Sequence, residues 1–242
     1  MQSPWSAVPD VPLRPVTMSD GMDDDLRTRL RDAGRLERAS IATLNQAGLN
    51  IVSAILQGQG AFYEMNHYPE DDVFDPNSAS QYYYHAHREN EHGHFHTFVR
   101  RKAMPESMRP ATGFRRSEPL PPFKDELAHL VCISMDAYGL PQGLFAVNRW
   151  VSDESWYSAE ETIVLLDCFR VEHTFPHFAV NQWITAFMAL CRPQIEALLR
   201  HRDAVINAWQ AAHPDRDVLE DRELEMTGYL PFDVPLWIAA LE

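Results

Sequence analysis

Histidines at alternate positions constrain how the segment YYYHAHRENEHGHFHTF can fold. His85 and His87 are two residues apart, and so are His94 and His96. A helix would turn the members of each pair about 200° apart, whereas a strand points both to the same face. The tyrosine, phenylalanine and threonine residues of the segment also favour strands. The segment is therefore predicted to be a β-hairpin that turns within residues 89–93.

The number of residues in the turn decides whether the two histidine pairs meet. An even number places odd positions of the first strand and even positions of the second on one face, so that all four histidines converge. The opposite face is then largely apolar and can pack against helices. It carries Tyr82, Tyr84, Ala86, Phe95, Thr97 and Val99. An odd number would leave imidazoles in the helix-packed core, so we predict an even turn, either residues 92–93 or residues 90–93.

The shared face is predicted to combine imidazoles with carboxylates. In the two-residue turn, Glu91 lies opposite His94, and Glu89 lies opposite His96. Directly opposed Cβ atoms are about 5 Å apart, so side chains of this length reach a common cation. Imidazole with carboxylate is typical of non-haem iron, zinc and manganese sites, and we favour iron(II). The predicted metal ligands are His85, His87, His94, His96 and Glu91.

The leading functional hypothesis is a non-haem iron oxidoreductase with a mononuclear site, acting on a small molecule. Glu91 is either a ligand or a general base, Tyr84 a proton carrier, and Arg149 a binding group for an anionic substrate. A zinc-dependent hydrolase is the alternative enzyme. A metal-handling protein is favoured instead if all four imidazoles saturate the cation. A fourth reading is a metal-free interaction protein that uses the histidine face as a pH-sensitive surface.

Other histidines offer further candidates. His129, in LAHLV, could supply a ligand from a neighbouring strand, although a lone histidine in an apolar run is more often a hydrogen-bonded core residue. Glu64 and His67 have the ExxH spacing of helical dinuclear sites, but a second helical copy is wanting. The histidines at 173 and 177 border a proline-bearing junction, where helix capping and solvent exposure explain them.

Composition limits the partners. The chain has 21 basic and 35 acidic residues and a net charge of −14, which opposes binding to nucleic acid or to an anionic membrane. The three cysteines are widely spaced in apolar segments, which indicates buried free thiols rather than disulfides. Neither a signal peptide nor an apolar run of membrane-spanning length is visible, so a cytoplasmic location is expected. The oligomeric state stays open.

The order of elements along the chain predicts an α+β fold. Helical patterns come first, with a break near Gly48, and two predicted hairpins follow, the second formed by LAHLVCISMD and GLFAVNRWV. The helices after them begin at the capping-box sequence SAEE and continue to the acidic tail. We expect a small antiparallel sheet packed against N-terminal and C-terminal helices. Residues 1–18 are predicted to be an extended proline-rich leader, and residues 19–242 a single domain, with the histidine-rich hairpin at 82–100.

Two resemblances follow from these motifs. HAHRENE resembles the first motif of the cupins, with His85, His87 and Glu91 at the positions of metal ligands, which implies a small β-barrel that binds iron, manganese or zinc. The resemblance is local, because Ala146 stands where the second cupin motif has histidine. The longer pattern, SQYYYHAHRENEHGHFHTF with ISMDAYGLPQGLFAVNRWV and the C-terminal helices, resembles an uncharacterised bacterial domain family without an established activity.

Overall fold

A computed structural model describes residues 6–8, 10–18, 21–87, 92–117, 122, 124 and 126–242. The described residues form seven α-helices: α1 (Asp24–Gln46), α2 (Ile51–Leu56), α3 (Arg149–Ser152), α4 (Ala159–Leu165), α5 (Phe178–Leu190), α6 (Arg192–Ala212) and α7 (Val234–Leu241). They also form six strands: β1 (Tyr68–Phe74), β2 (Ser80–His85), β3 (Gly93–Arg100), β4 (Leu127–Met135), β5 (Pro141–Val147) and β6 (Met226–Pro231). The α+β class is confirmed.

The six strands form one antiparallel sheet in the order β1-β2-β3-β4-β5-β6, so each strand pairs with its neighbour in sequence. The two predicted hairpins are its central four strands. The acidic segment YEMNHYPEDDVFDPNSAS is rich in turn formers and predicts a loop, yet β1 lies within it, and β6 lies in the acidic tail, where the sequence predicts no particular element. Strands β1 and β6 are the edges of the sheet among the described residues, so the β-barrel implied by the cupin motif is not what forms. The leader contacts one edge, where Ser6 bridges Gly228.

The first helices begin and end at local signals in the sequence. The Asp23 side chain accepts a hydrogen bond from the backbone N–H of Leu26 and caps α1. The predicted break near Gly48 is confirmed, because this glycine has a φ of 71°, a value that favours glycine. Asn50 then opens α2 in a capping box with Ser53.

Helix α4 begins as predicted and ends early. Ser158 and Glu161 form the predicted capping box, each side chain accepting a hydrogen bond from the other residue's backbone N–H. The segment TIVLLDCFRVEH has a helical pattern that predicts a helix stopping near Pro176. Helix α4 instead ends at Leu165, and the chain then makes tight turns, one of them closed by a hydrogen bond from the Cys168 N–H to the Leu165 carbonyl. The strand expected through Val151 also ends early, because Asn148 caps α3.

The two faces of the sheet have different surroundings. One face packs against the helices, and there Phe95 of β3 contacts Trp183 of α5 with ring centroids 5.5 Å apart. Tyr82 and Tyr84 belong to the same hydrophobic core, which is the helix-facing side predicted for them. The other face carries the histidines. No helix among the described residues combines the length and the apolar composition that a bilayer span requires.

Candidate metal centre

The register of β2 and β3 brings the two strands' histidines to one face. His85 is directly opposite His94, and Tyr83 is opposite His96. Odd positions of β2 therefore share a face with even positions of β3, as an even connection requires. Both predicted turns are too short, since residues 92–93 would have placed Glu91 opposite His94 and residues 90–93 would have placed Glu89 there. Glu89 and Glu91 lie outside the described residues.

Three histidines form what we call the first group: His85, His87 and His94. Each offers one ring nitrogen, and the three nitrogens lie within 4.8 Å of one another. The Nε2 atoms of His85 and His94 are 2.8 Å apart. His87 follows the end of β2 and remains close, with its ring centroid 5.1 Å from that of His94. His85 and His94 are buried, whereas His87 is half-buried. Solvent therefore reaches the first group more easily from the side of His87.

A second group lies beside the first and consists of His96, His129 and Cys132. The Nδ1 atom of His96 is 3.1 Å from Nε2 of His129, and the Cys132 Sγ is 3.4 Å from each of these nitrogens. All three side chains are buried. The His96 ring is 5.0 Å from the rings of both His85 and His94, so the two groups are neighbours on one face.

A bulge in β4 makes the second group possible. His129 and Cys132 are three residues apart, and in a regular strand their side chains would point to opposite faces. The pairing with β3 shifts at this point, from Thr97 opposite Val131 to Phe98 opposite His129. Leu130 is the extra residue, and it turns His129 back to the face of Cys132. Sequence periodicity alone could not place these two side chains together.

Aromatic rings enclose both groups. Phe145 of β5 contacts the ring of His94 at 5.1 Å, and Phe98 contacts that of His129 at 5.0 Å. The Tyr83 ring stacks on His96, with ring centroids 5.0 Å apart, and on His67, with centroids 3.6 Å apart. Burial raises the pKa of the Tyr83 hydroxyl, so this group stays protonated at neutral pH. The imidazoles therefore lie in surroundings of low polarity.

Burial also sets the charge of His129. Desolvation, followed by the positive charge of Arg202, lowers the pKa of His129 to about 3, so its imidazole is neutral at pH 7 and retains a lone pair. Its backbone N–H donates to Glu154 Oε2 at 3.0 Å, which fixes this part of β4. Burial raises the pKa of Glu154 to about 7, and the Ser152 hydroxyl donates to its other oxygen at 3.1 Å.

Two predicted catalytic residues lie away from the histidine face. Tyr84 is fully buried on the helix-facing side of the sheet. Its hydroxyl oxygen lies 2.8 Å from Nδ1 of His92, which is exposed. Arg149 is buried at the start of α3 and forms an ion pair with Glu220. Its guanidinium is therefore engaged by a carboxylate of the chain itself. Strand alternation places Tyr84 on that side, as predicted, and the early end of β5 places Arg149 in α3.

The structure also places the other candidates from the sequence, which are Glu64, His67 and His177. Glu64 lies in a turn rather than on a helix, so the ExxH reading is wrong. His67 instead borders the histidine face, with its ring 5.7 Å from that of His85 and its Nδ1 2.9 Å from Asp72. The His177 side chain accepts a hydrogen bond from the backbone N–H of Ala179 and so caps α5, which agrees with the helix capping predicted for this histidine.

Cys132 is the residue of the histidine face that sequence reasoning missed as a candidate ligand. The sequence predicts a buried thiol at this position, and the structure buries Cys132 and places it in no disulfide. The available signal was its position three residues after His129, which becomes meaningful only once the bulge is known.

Comparison with known proteins gives a family and no further relatives. No curated protein matches the chain, and no solved structure matches it. The family model described as a domain of unknown function, DUF6969, matches residues 31–232, a range that includes both groups and most of the chain. The protein therefore belongs to this family of unknown function.

Proposed function

We propose that this protein is a metal-dependent enzyme in which His85, His87 and His94 bind one divalent transition metal. The observation that carries the proposal is the convergence of three imidazole nitrogens, from β2 and β3, within 4.8 Å. Neutral imidazole binds iron, zinc, copper and nickel. Three protein ligands leave coordination positions for water, oxygen or substrate, which a catalytic metal needs.

The reaction class proposed first is that of a non-haem iron oxidoreductase acting on a small molecule. Iron(II) sites of this kind keep open positions beside histidine and carboxylate ligands. Glu91 follows the first histidine pair in sequence and is proposed as the carboxylate ligand or general base. The aromatic rings around His94 and His96 support the assignment, because a reactive metal centre is protected where water has little access. The net charge of −14 argues against a nucleic acid as the substrate.

A zinc-dependent hydrolase is the second candidate, and the donor set favours it. All three ligands of the first group are nitrogens, and three histidines with one open position is a known set for catalytic zinc. Zinc would lower the pKa of a bound water and so supply the nucleophile. A non-catalytic metal-handling protein is the third outcome, and it requires His96 to close the coordination sphere.

Metal analysis of untagged protein tests the proposal. Wild type and the His85→Ala/His94→Ala double variant are loaded anaerobically with Fe²⁺ or with Zn²⁺, desalted and analysed. We expect the double variant to lose one equivalent of metal relative to wild type. His177→Asn is the matched control, because it removes a histidine that caps α5 and asparagine can keep this cap.

Nitric oxide binding to the Fe²⁺ protein then distinguishes the classes. An electron paramagnetic resonance signal from an iron nitrosyl shows an open position, as an oxidoreductase requires, and its absence with full loading supports metal handling. Glu91→Gln should change this signal if the carboxylate is a ligand. Equal metal content in wild type and in the double variant would contradict the proposal.

A further inference from the structure

We propose that His96, His129 and Cys132 form a second metal position, beside the first, which binds a thiolate-preferring ion, Zn²⁺. The inference goes beyond the proposed enzyme, since none of these three residues belongs to the first group. It rests on donor identity, spacing and burial.

The spacing of the three donor atoms fits one small ion. Tetrahedral zinc with Zn–N of about 2.0 Å and Zn–S of about 2.3 Å sets its nitrogen ligands about 3.3 Å apart and nitrogen and sulfur about 3.5 Å apart. The observed separations are 3.1 Å between the nitrogens and 3.4 Å from Sγ to each nitrogen. Small shifts of the side chains therefore suffice to bring all three atoms to bonding distance.

The donor types set the preference for metal. The first group contains only imidazoles, whereas the second adds a sulfur, and thiolate favours zinc or copper(I) over harder cations. Zinc binding displaces the thiol proton of Cys132, which passes to solvent as the Zn–S bond forms. The two positions should therefore differ in the metal that each holds most tightly.

Position in the fold gives the second ion a structural effect. His96 lies on β3, directly opposite Cys132 of β4. His129 also lies on β4, on the other side of the bulge at Leu130. An ion bound to all three cross-links these central strands at the point where their regular pairing is interrupted. All three side chains are buried, so exchange of this ion with solvent should be slower than exchange at the half-buried His87.

Cobalt substitution tests the second position separately from the first. We expect two equivalents of Co²⁺ to bind to the untagged wild type and to give a near-ultraviolet sulfur-to-cobalt charge-transfer band. The band should be lost in Cys132→Ala, with one equivalent remaining. It should persist in His85→Ala/His94→Ala, which also keeps one equivalent. Cys191→Ala is the matched control, because it removes another fully buried thiol.

The outcomes separate the two proposals. If the first position fails and the second is real, wild type and His85→Ala/His94→Ala each bind one equivalent and both show the band. If the band is absent from wild type, or persists unchanged in Cys132→Ala, the second position does not exist. Zinc X-ray absorption on the unmodified chain gives a check that needs no variant. A sulfur neighbour at about 2.3 Å is expected, averaging one sulfur for every two zinc ions when both positions are filled, and a shell of nitrogen and oxygen alone overturns the inference.

Discussion

His85 and His94 face each other across β2 and β3, with their Nε2 atoms 2.8 Å apart. A neutral imidazole carries one N–H, so at this distance one ring donates a hydrogen bond to the other. A cation bound by both lone pairs would instead move the two nitrogens to about 3.3 Å apart. Only the second arrangement depends on metal, so the two arrangements predict different responses of stability to metal removal.

Removal of metal is expected to lower the melting temperature of wild type. A cation that binds the native chain and not the unfolded chain stabilises it by about 2.7 kcal/mol at a hundredfold excess over Kd. Calorimetry with and without a chelator measures the effect. Because two positions are proposed, the comparison uses the combined variant His85→Ala/His94→Ala/Cys132→Ala, which should not respond. An equal loss in wild type and in this variant would show that the chelator acts elsewhere.

Gly93→Ala is expected to destabilise the fold and weaken metal binding at the adjacent His94. A Cβ atom at this position would lie 2.5 Å from Cζ of Tyr84 and 2.7 Å from the His85 carbonyl oxygen. Overpacking of this kind costs about 1–3 kcal/mol. Urea unfolding measures the change. Gly34→Ala is the control, because its Cβ would lie 3.1 Å from Cγ1 of Ile238, a contact that a shift of a few tenths of an ångström relieves, and alanine favours the helix. Equal stability of Gly93→Ala and wild type would contradict the contact.

Glu37 should make stability fall as the pH rises from about 4.5 to 6. Burial raises its pKa from 4.5 to about 6, although the hydrogen bond from the Trp183 indole and the charge of Arg38 act in the opposite direction. The side chain is 2% exposed and lines a cavity of about 870 Å³ between α1 and the start of α7. The native state binds the proton more tightly than the unfolded state, so ionisation costs stability, by about 2 kcal/mol above pH 6.

Glu37→Gln isolates this effect. The variant should match wild type near pH 4 and exceed it at pH 7, because glutamine stays neutral and can still accept the Trp183 N–H. The measurement is the difference in urea unfolding free energy between the two proteins from pH 4 to pH 8, in which other titrating groups cancel. A difference that grows as the pH falls would have the wrong sign.

Arg101→Ala is expected to cost about 3–5 kcal/mol, the usual effect of leaving a buried charge without its partner. Its guanidinium lies 3.6 Å from the Glu126 carboxylate, both side chains are buried, and it also donates to the carbonyls of Pro105 and Met108 in the proline-rich connection. Urea unfolding measures the loss, and adding Glu126→Gln should recover part of it.

Arg35→Ala is the control. It breaks an exposed pair with Asp32 and should change the free energy of unfolding by about 1 kcal/mol or less. A similar cost for both arginines would refute the buried pair.

The alternation of histidines was enough to predict strands and the parity of their connection, because a side chain's face is fixed by whether its position is odd or even. The length of the connection was not predictable in this way. The turn was expected within residues 89–93, but the last pair that the structure describes between β2 and β3 is His85 with His94. The predicted pairing of Glu91 with His94 and of Glu89 with His96 is therefore wrong, because His85 and Tyr83 lie opposite these histidines.

Other differences have a similar local origin. Strand β1 is acidic and irregular, since Asp72 has a φ of 56° and the pairing with β2 shifts there, so it lacks the alternation that identifies a strand. Strand β6 contains Gly228 and Pro231, which are disfavoured inside strands, yet it lies at the sheet edge, where both are tolerated. Cys132 lies beside His129 in the second group because of the bulge in β4. This bulge is a feature of the β3–β4 pairing and is not visible in the sequence.

The meander order of the sheet has a consequence for biosynthesis. Every proposed donor lies between residues 85 and 132, on or beside three consecutive strands, whereas α5, α6 and β6 follow later in the chain. Translation proceeds from the N-terminus at about 5–20 residues per second, so these strands leave the ribosome while the last strand is still being made. A nascent chain therefore presents all the proposed ligands before the helical layer and the final strand are in place.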